Sequence, residues 1–214
     1  MYTISDGVIN YMSAVIGVCG TNFCTLCSDS RKVVNKGGKF VVDSDTTQKV
    51  FKINDRVLLG ATGLFDIGEL SYAPLKVYQD PSVITLRMAY KAVLDYIERH
   101  KRSHMMLGRA RNYLVAGKDN HGQFCIYEVH FNPMTEKTET VLRKPKPPQF
   151  NFAVSCSLPF SLTDDTQECI DAVAYVLNHS RTHGEMVSGV GNIICKISET
   201  DETVGGEIQS VSVF

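Results

Sequence analysis

Residues 48–67 read QKVFKINDRVLLGATGLFDI. Lys49–Ile53 and Arg56–Gly60 are short runs rich in apolar residues, and Asn54-Asp55 between them has the chemistry of a hairpin turn. Asn and Asp side chains bond to their own backbone two residues on, which favours a turn over a continuous strand. The second run leads into Ala61-Thr62-Gly63, a glycine-containing strand end, and a helix is expected over about 64–78. A lone two-stranded hairpin is marginal in water, so the flanking chain has to supply further strands.

Upstream, residues 12–33 read MSAVIGVCGTNFCTLCSDSRKV. Residues 13–20 and 22–28 form a second hairpin around Gly20-Thr21-Asn22, and their near-continuous apolarity implies burial on both faces. Residues 33–48 are a polar excursion with short strands at its ends. Downstream, Pro81-Ser82 opens the clearest helix, with Ser82 as N-cap and Leu86, Tyr90, Val93 and Ile97 at helical spacing. Its exit, Glu98 to Arg102, is basic. Strands are expected at Asn112–Ala116, Gln123–His130 and Glu139–Leu142, with turns at Gly117–Gly122 and Asn132-Pro133.

The KPKPPQ segment, 144–149, is a stiff connector. Phe150–Cys156 reads as a strand. Thr163-Asp164-Asp165 caps a helix over 164–181, with Ile170, Val173, Ala174 and Leu177 on one face. Gly191–Ile197 and Val204–Val213 read as final strands. Strands joined by hairpins, with helices in blocks, favour antiparallel sheets with helices packed outside: an α+β fold. No linker divides residues 1–214, so one domain is expected.

With 22 basic and 23 acidic residues the net charge is −1, which offers nucleic acid or an anionic membrane no electrostatic attraction. No apolar run reaches the roughly 18–20 residues of a membrane span. The first twelve residues lack the basic start and apolar core of a signal peptide. A cytosolic location, or a nucleocytoplasmic one in a eukaryote, is the expectation. The seven cysteines sit mostly in apolar segments and read as small buried hydrophobes in a reducing compartment. Cys24 and Cys27 are three apart on a strand and point to opposite faces, which argues against a metal or redox CxxC.

Five places together resemble a proteasome β-type subunit, a member of the N-terminal nucleophile (Ntn) hydrolases. SAVIGVCGTNFCTLCSDSR resembles that family's first hairpin, which begins Thr-Thr-x-x-Gly and ends in Asp-x-Arg. QKVFKINDRVLLGATGLFDI resembles its lysine strand and following turn, and YLVAGKDNHGQFCIYEV its central hairpin. FAVSCS resembles a strand that usually reads Ser-Gly, and GEMVSGVGNIICKI the Asp-x-x-Ser-Gly segment before the last strands. The resemblance implies a four-layer αββα sandwich of two antiparallel sheets. It implies association with other copies of the chain or with related subunits, and a peptide or amide as substrate if the chain is active. It implies no cofactor and no metal.

Carried over residue by residue, the resemblance puts Ser13 at the catalytic Thr, Asp29 at the acid behind it and Lys49 at the lysine that lowers the nucleophile's proton affinity. It puts Gly63 at the oxyanion-binding amide, and Ser155, Glu185 and Ser188 at the groups beside the free amine. The chemistry needs those residue types. A serine hydroxyl is a weak nucleophile, and the nucleophile's own α-amine, with an ordinary pKa near about 8, can take its proton. A lysine ammonium favours loss of that proton, and an aspartate holds the ammonium in place. A glycine amide meets the oxyanion without side-chain obstruction.

Several residues depart from the pattern. Ser13 replaces Thr, Met12 precedes it where the family usually has Gly, and Glu185 replaces Asp. An amine held in the Met12–Ser13 peptide cannot act as base, so catalysis requires release of residues 1–12 as a propeptide. Otherwise those residues are an N-terminal arm on a non-catalytic assembly subunit, the alternative reading. The interval from Ser155 to Ser188 has room for about one helix where the family fits two. His179 and His183, at i and i+4, are a weaker metal candidate without a zincin motif. Lys36–Lys39 and Val204-Gly205-Gly206 lack the spacing of a phosphate loop.

Overall fold

The computed structural model describes residues 13–36, 39–63, 72–106, 110–148, 151–158 and 166–214. The first hairpin is β1 (Val15–Cys19) and β2 (Cys24–Ser28), and the polar excursion is a separate hairpin of β3 (Lys32–Lys36) and β4 (Lys39–Ser44). The second hairpin is β5 (Val50–Lys52) and β6 (Val57–Gly63), turning over Asn54 as expected. Asn54 accepts from the Arg56 amide through its side-chain oxygen at 2.8 Å. Most of the helix expected over 64–78 lies outside the described residues, and Ala73–Val77 is a single 3₁₀ turn.

Helix α1 spans Leu86–Met106. It starts later than the sequence suggests. Pro81–Val83 is a separate 3₁₀ turn capped by Asp80, and the Thr85 hydroxyl accepts from the Met88 amide at the true helix start. Strands β7 (Arg111–Lys118), β8 (Phe124–Asn132) and β9 (Lys137–Arg143) follow, then β10 (Ala153–Ser157), α2 (Thr166–His179), α3 (His183–Thr200) and β11 (Gln209–Val213).

Helix α3 overturns two expectations. Gly191–Ile197 is helix, not strand, and the second helix thought to have no room is present. Met186, Val190 and Ile194 recur every four residues and are buried. Thr182 caps the start by accepting from the Glu185 amide at 3.1 Å. Gly189 belongs to helix packing: a Cβ there would stand 2.5 Å from Val176 of α2.

The strands form two antiparallel sheets, β10-β1-β2-β11 and β5-β6-β7-β8-β9. Val15, Leu26, Leu58, Leu114 and Ile126 fill the space between them. On the outer face of the five-stranded sheet, Leu59, Tyr113 and Val115 pack under Ala89, Val93 and Ile97 of α1. On the outer face of the four-stranded sheet, Ile16, Val18 and Cys27 pack under Val173, Val190 and Ile194 of α2 and α3. Three separate apolar clusters between four layers make an αββα sandwich. Cys19 and Cys24 face each other across the β1–β2 ladder and are joined as a disulfide, so these two are not the free thiols expected. Among the described residues no helix is long and apolar enough to cross a membrane.

Candidate functional site

Register brings some of the sequence candidates to one end of the sandwich. Val15 pairs with both Ser28 and Ser157, so Ser13, Asp29 and the end of β10 lie at the same edge of the four-stranded sheet. Ser13 continues the alternation of Val15 and Gly17, whose side of β1 faces the second sheet. There the Thr62 and Ser157 hydroxyls meet at 2.7 Å and tie the end of β6 to the end of β10.

Asp29 is fully buried, and its carboxylate is surrounded by donors. Its Oδ1 accepts from the Ala14 amide at 3.0 Å. Its Oδ2 accepts from the Arg31 amide at 3.1 Å, the Gly205 amide at 3.1 Å and the Lys49 ammonium at 2.7 Å. Lys49, 5% exposed at the start of β5, also donates to the Arg31 carbonyl at 2.6 Å. Burial pushes the Asp29 carboxyl up from its ordinary value, and the Lys49 charge and hydrogen bond offset that. Burial pushes the Lys49 ammonium down, and Asp29 offsets that in turn. Each charge is held in an apolar place by the other.

The remaining candidates are placed less simply. Gly63 ends β6 opposite Arg111, with φ 113°. A Cβ there would lie 2.4 Å from the Ala110 carbonyl, so only glycine fits. Ser155 is buried opposite Gly17, four residues along β1 from Ser13, roughly 13 Å at about 3.3 Å per residue. Ser157, two residues on, is the β10 hydroxyl nearest the Ser13 end. Glu185 and Ser188 are exposed on α3. The Glu185 carboxylate accepts from the Arg181 amide at 2.7 Å and serves the helix start. His179 and His183 are not brought together: His179 stacks on Tyr175, and His183 Nε2 lies 2.9 Å from the Thr25 hydroxyl and 3.2 Å from that of Ser212.

The segment that does reach Asp29 from the C-terminal side is 201–206, which the sequence reading gave partly to a last strand from Val204; that strand begins only at Gln209. Gly205 donates to Asp29, and its carbonyl accepts from the Ser30 and Arg31 amides at 3.0 and 2.8 Å. Its φ is 152°, and a Cβ would stand 2.6 Å from the Arg31 guanidinium carbon. Arg31 closes the arrangement through Asp45 at 2.8 Å and the Glu202 carbonyl at 3.2 Å. The spacing Asp201…Val204-Gly205 repeats the acid-x-x-residue-Gly pattern sought at Glu185…Ser188, and it directly precedes the last strand. Here the hydroxyl position of the pattern is Val204, which is fully buried. That spacing, with two glycines after it, was the signal available in the sequence.

The sequence profile described as Proteasome subunit matches residues 10–132. A search of curated protein sequences returns no match. Among solved structures, the crystal structure of eukaryotic HslV from Trypanosoma brucei matches with a TM-score of 0.55 at 12% identity, covering 94% of this chain and 98% of that one. At that identity the structural match speaks to the fold.

Proposed function

Because the chain belongs to the proteasome subunit family, we propose that it is an Ntn-type hydrolase subunit that cuts peptide or amide bonds with Ser13 after release of residues 1–12. The observation that carries this reading is the buried Lys49–Asp29 pair, whose carboxylate also holds the amide of Ala14, the residue bonded to Ser13. In this mechanism the freed Ser13 amine takes the hydroxyl proton and Oγ attacks the substrate carbonyl. The Lys49 ammonium stabilises the developing alkoxide, and the Gly63 amide receives the oxyanion. The leaving amine takes the proton back, and water hydrolyses the acyl-serine. Ser157, rather than Ser155 or Ser188, is the hydroxyl suited to orient the amine. The working form is an assembly with copies of this chain or with related subunits.

A second reading is favoured by Val204: a non-catalytic subunit that keeps the Lys49–Asp29 pair as structure and has lost a hydroxyl beside it. Hydrolysis of fluorogenic peptide amides by the assembled protein separates the two. The first reading expects turnover that is abolished in Ser13→Ala and retained in Ser13→Thr. Equal signals from wild type and Ser13→Ala would leave the second.

A further inference from the structure

Cys156 of β10 and Cys169 of α2 face each other on the helix side of the four-stranded sheet, with their sulfurs 3.1 Å apart. A disulfide bond is about 2.05 Å, so a closing movement of about 1 Å suffices. The pair is not an isolated accident of packing. Ile16 lies opposite Cys156 in the β1–β10 register and forms its apolar floor, and the Arg143–Glu128 ion pair stands close enough to act on the thiol electrostatically. Cys169 is buried and Cys156 half-buried. The remaining free thiols at Cys27, Cys125 and Cys195 have no such partner sulfur among the described contacts.

We propose that Cys156 and Cys169 are a two-electron redox site that takes hydrogen peroxide as oxidant and closes to a disulfide between β10 and α2. The hydrogen bond between the two sulfurs pushes the Cys169 thiol below its ordinary range, against the opposing effect of burial. The Cys169 thiolate attacks the peroxide O–O bond, forming a sulfenic acid, and the hydroxide that leaves takes a proton to become water. The Cys156 sulfur then attacks the sulfenic sulfur. Its own proton goes to the departing hydroxyl, and a second water leaves. Two thiols are oxidised by two electrons, and one peroxide is reduced to two waters. The bond ties β10 to α2, and it fixes the strand whose next residue, Ser157, joins Thr62 at the Ser13 end.

The test begins with protein reduced by dithiothreitol and freed of it, then titrated with hydrogen peroxide and quenched with an alkylating agent. Cleavage at the acidic residues between the two cysteines, Asp164, Asp165 and Glu168, separates the two halves unless a disulfide joins them. The expected result is a 156–169 cross-linked peptide at about one equivalent of peroxide, reversed by dithiothreitol. Tm should rise by roughly 5–10 °C on closure. The cross-link should be absent in both Cys156→Ser and Cys169→Ser, and the half-buried Cys156→Ala serves if the Cys169 variant does not fold. Oxidation of the exposed Cys195 with no 156–169 peptide, or a link from either cysteine to Cys27, overturns the proposal.

Discussion

Lys49 places its ammonium where almost no water reaches, and two acceptors take it up: the Asp29 carboxylate and the Arg31 carbonyl. Removing one partner strands the other. Lys49→Ala is therefore predicted to lower unfolding stability by about 3–5 kcal/mol in urea titration. The double variant Asp29→Asn/Lys49→Met should recover a large part of that loss, because no bare charge stays buried. If the double variant were as unstable as the sum of the two singles, the pair would not be coupled as described. Asp29 and Lys49 were singled out through the family resemblance, which rests on the two hairpins they flank. Ser157 was not. It shares a strand face with Ser155, and a two-residue shift preserves alternation, so only the ladder register separates them.

At the scale of elements, α3 is the instructive case. The run from Gly191 to Ile197 is apolar enough for either a strand or a buried helix, and periodicity over so short a run cannot arbitrate. The deciding residues lie upstream, in the Thr182–Glu185 cap and the Met186, Val190, Ile194 stripe. Gly189 lets α3 approach Val176 of α2, so Gly189→Leu should cost about 1–3 kcal/mol by overpacking, measured by chemical denaturation. His183, at the first turn of α3, bonds with Thr25 and Ser212, and burial holds its pKa below the ordinary value near about 6.5. The folded state then binds fewer protons than the unfolded chain, so this contribution to stability is full above about pH 6.5 and is lost as pH falls through the lower folded value. The Tm of His183→Gln should fall less steeply than that of wild type between about pH 6.5 and 5. Parallel pH profiles would contradict the assignment.

Across the whole molecule, strand order and hairpin turns pointed to antiparallel sheets with helices packed outside, even where single boundaries slipped, and the family resemblance implied the αββα layering. The resemblance pointed to Asp29 and Lys49, which pair at 2.7 Å, and most of the strands and α1 follow from patterns in the chain. The Gly205 turn did not, because it meets Asp29 across 176 residues and only the assembled sheet brings them together. The Cys19–Cys24 disulfide depends on the same kind of register, here across a single turn.

Catalysis by this chain requires that Ser13 become a terminal residue whose amine works with its own hydroxyl. The most direct test is intact mass and N-terminal sequencing of the assembled native protein, wild type beside Ser13→Ala. Catalysis by Ser13 predicts a wild-type chain that begins at Ser13 and a Ser13→Ala chain that keeps Met12 joined to residue 13. A wild-type chain still carrying Met12 on Ser13 after assembly would have no amine to act as base, and would contradict the catalytic reading.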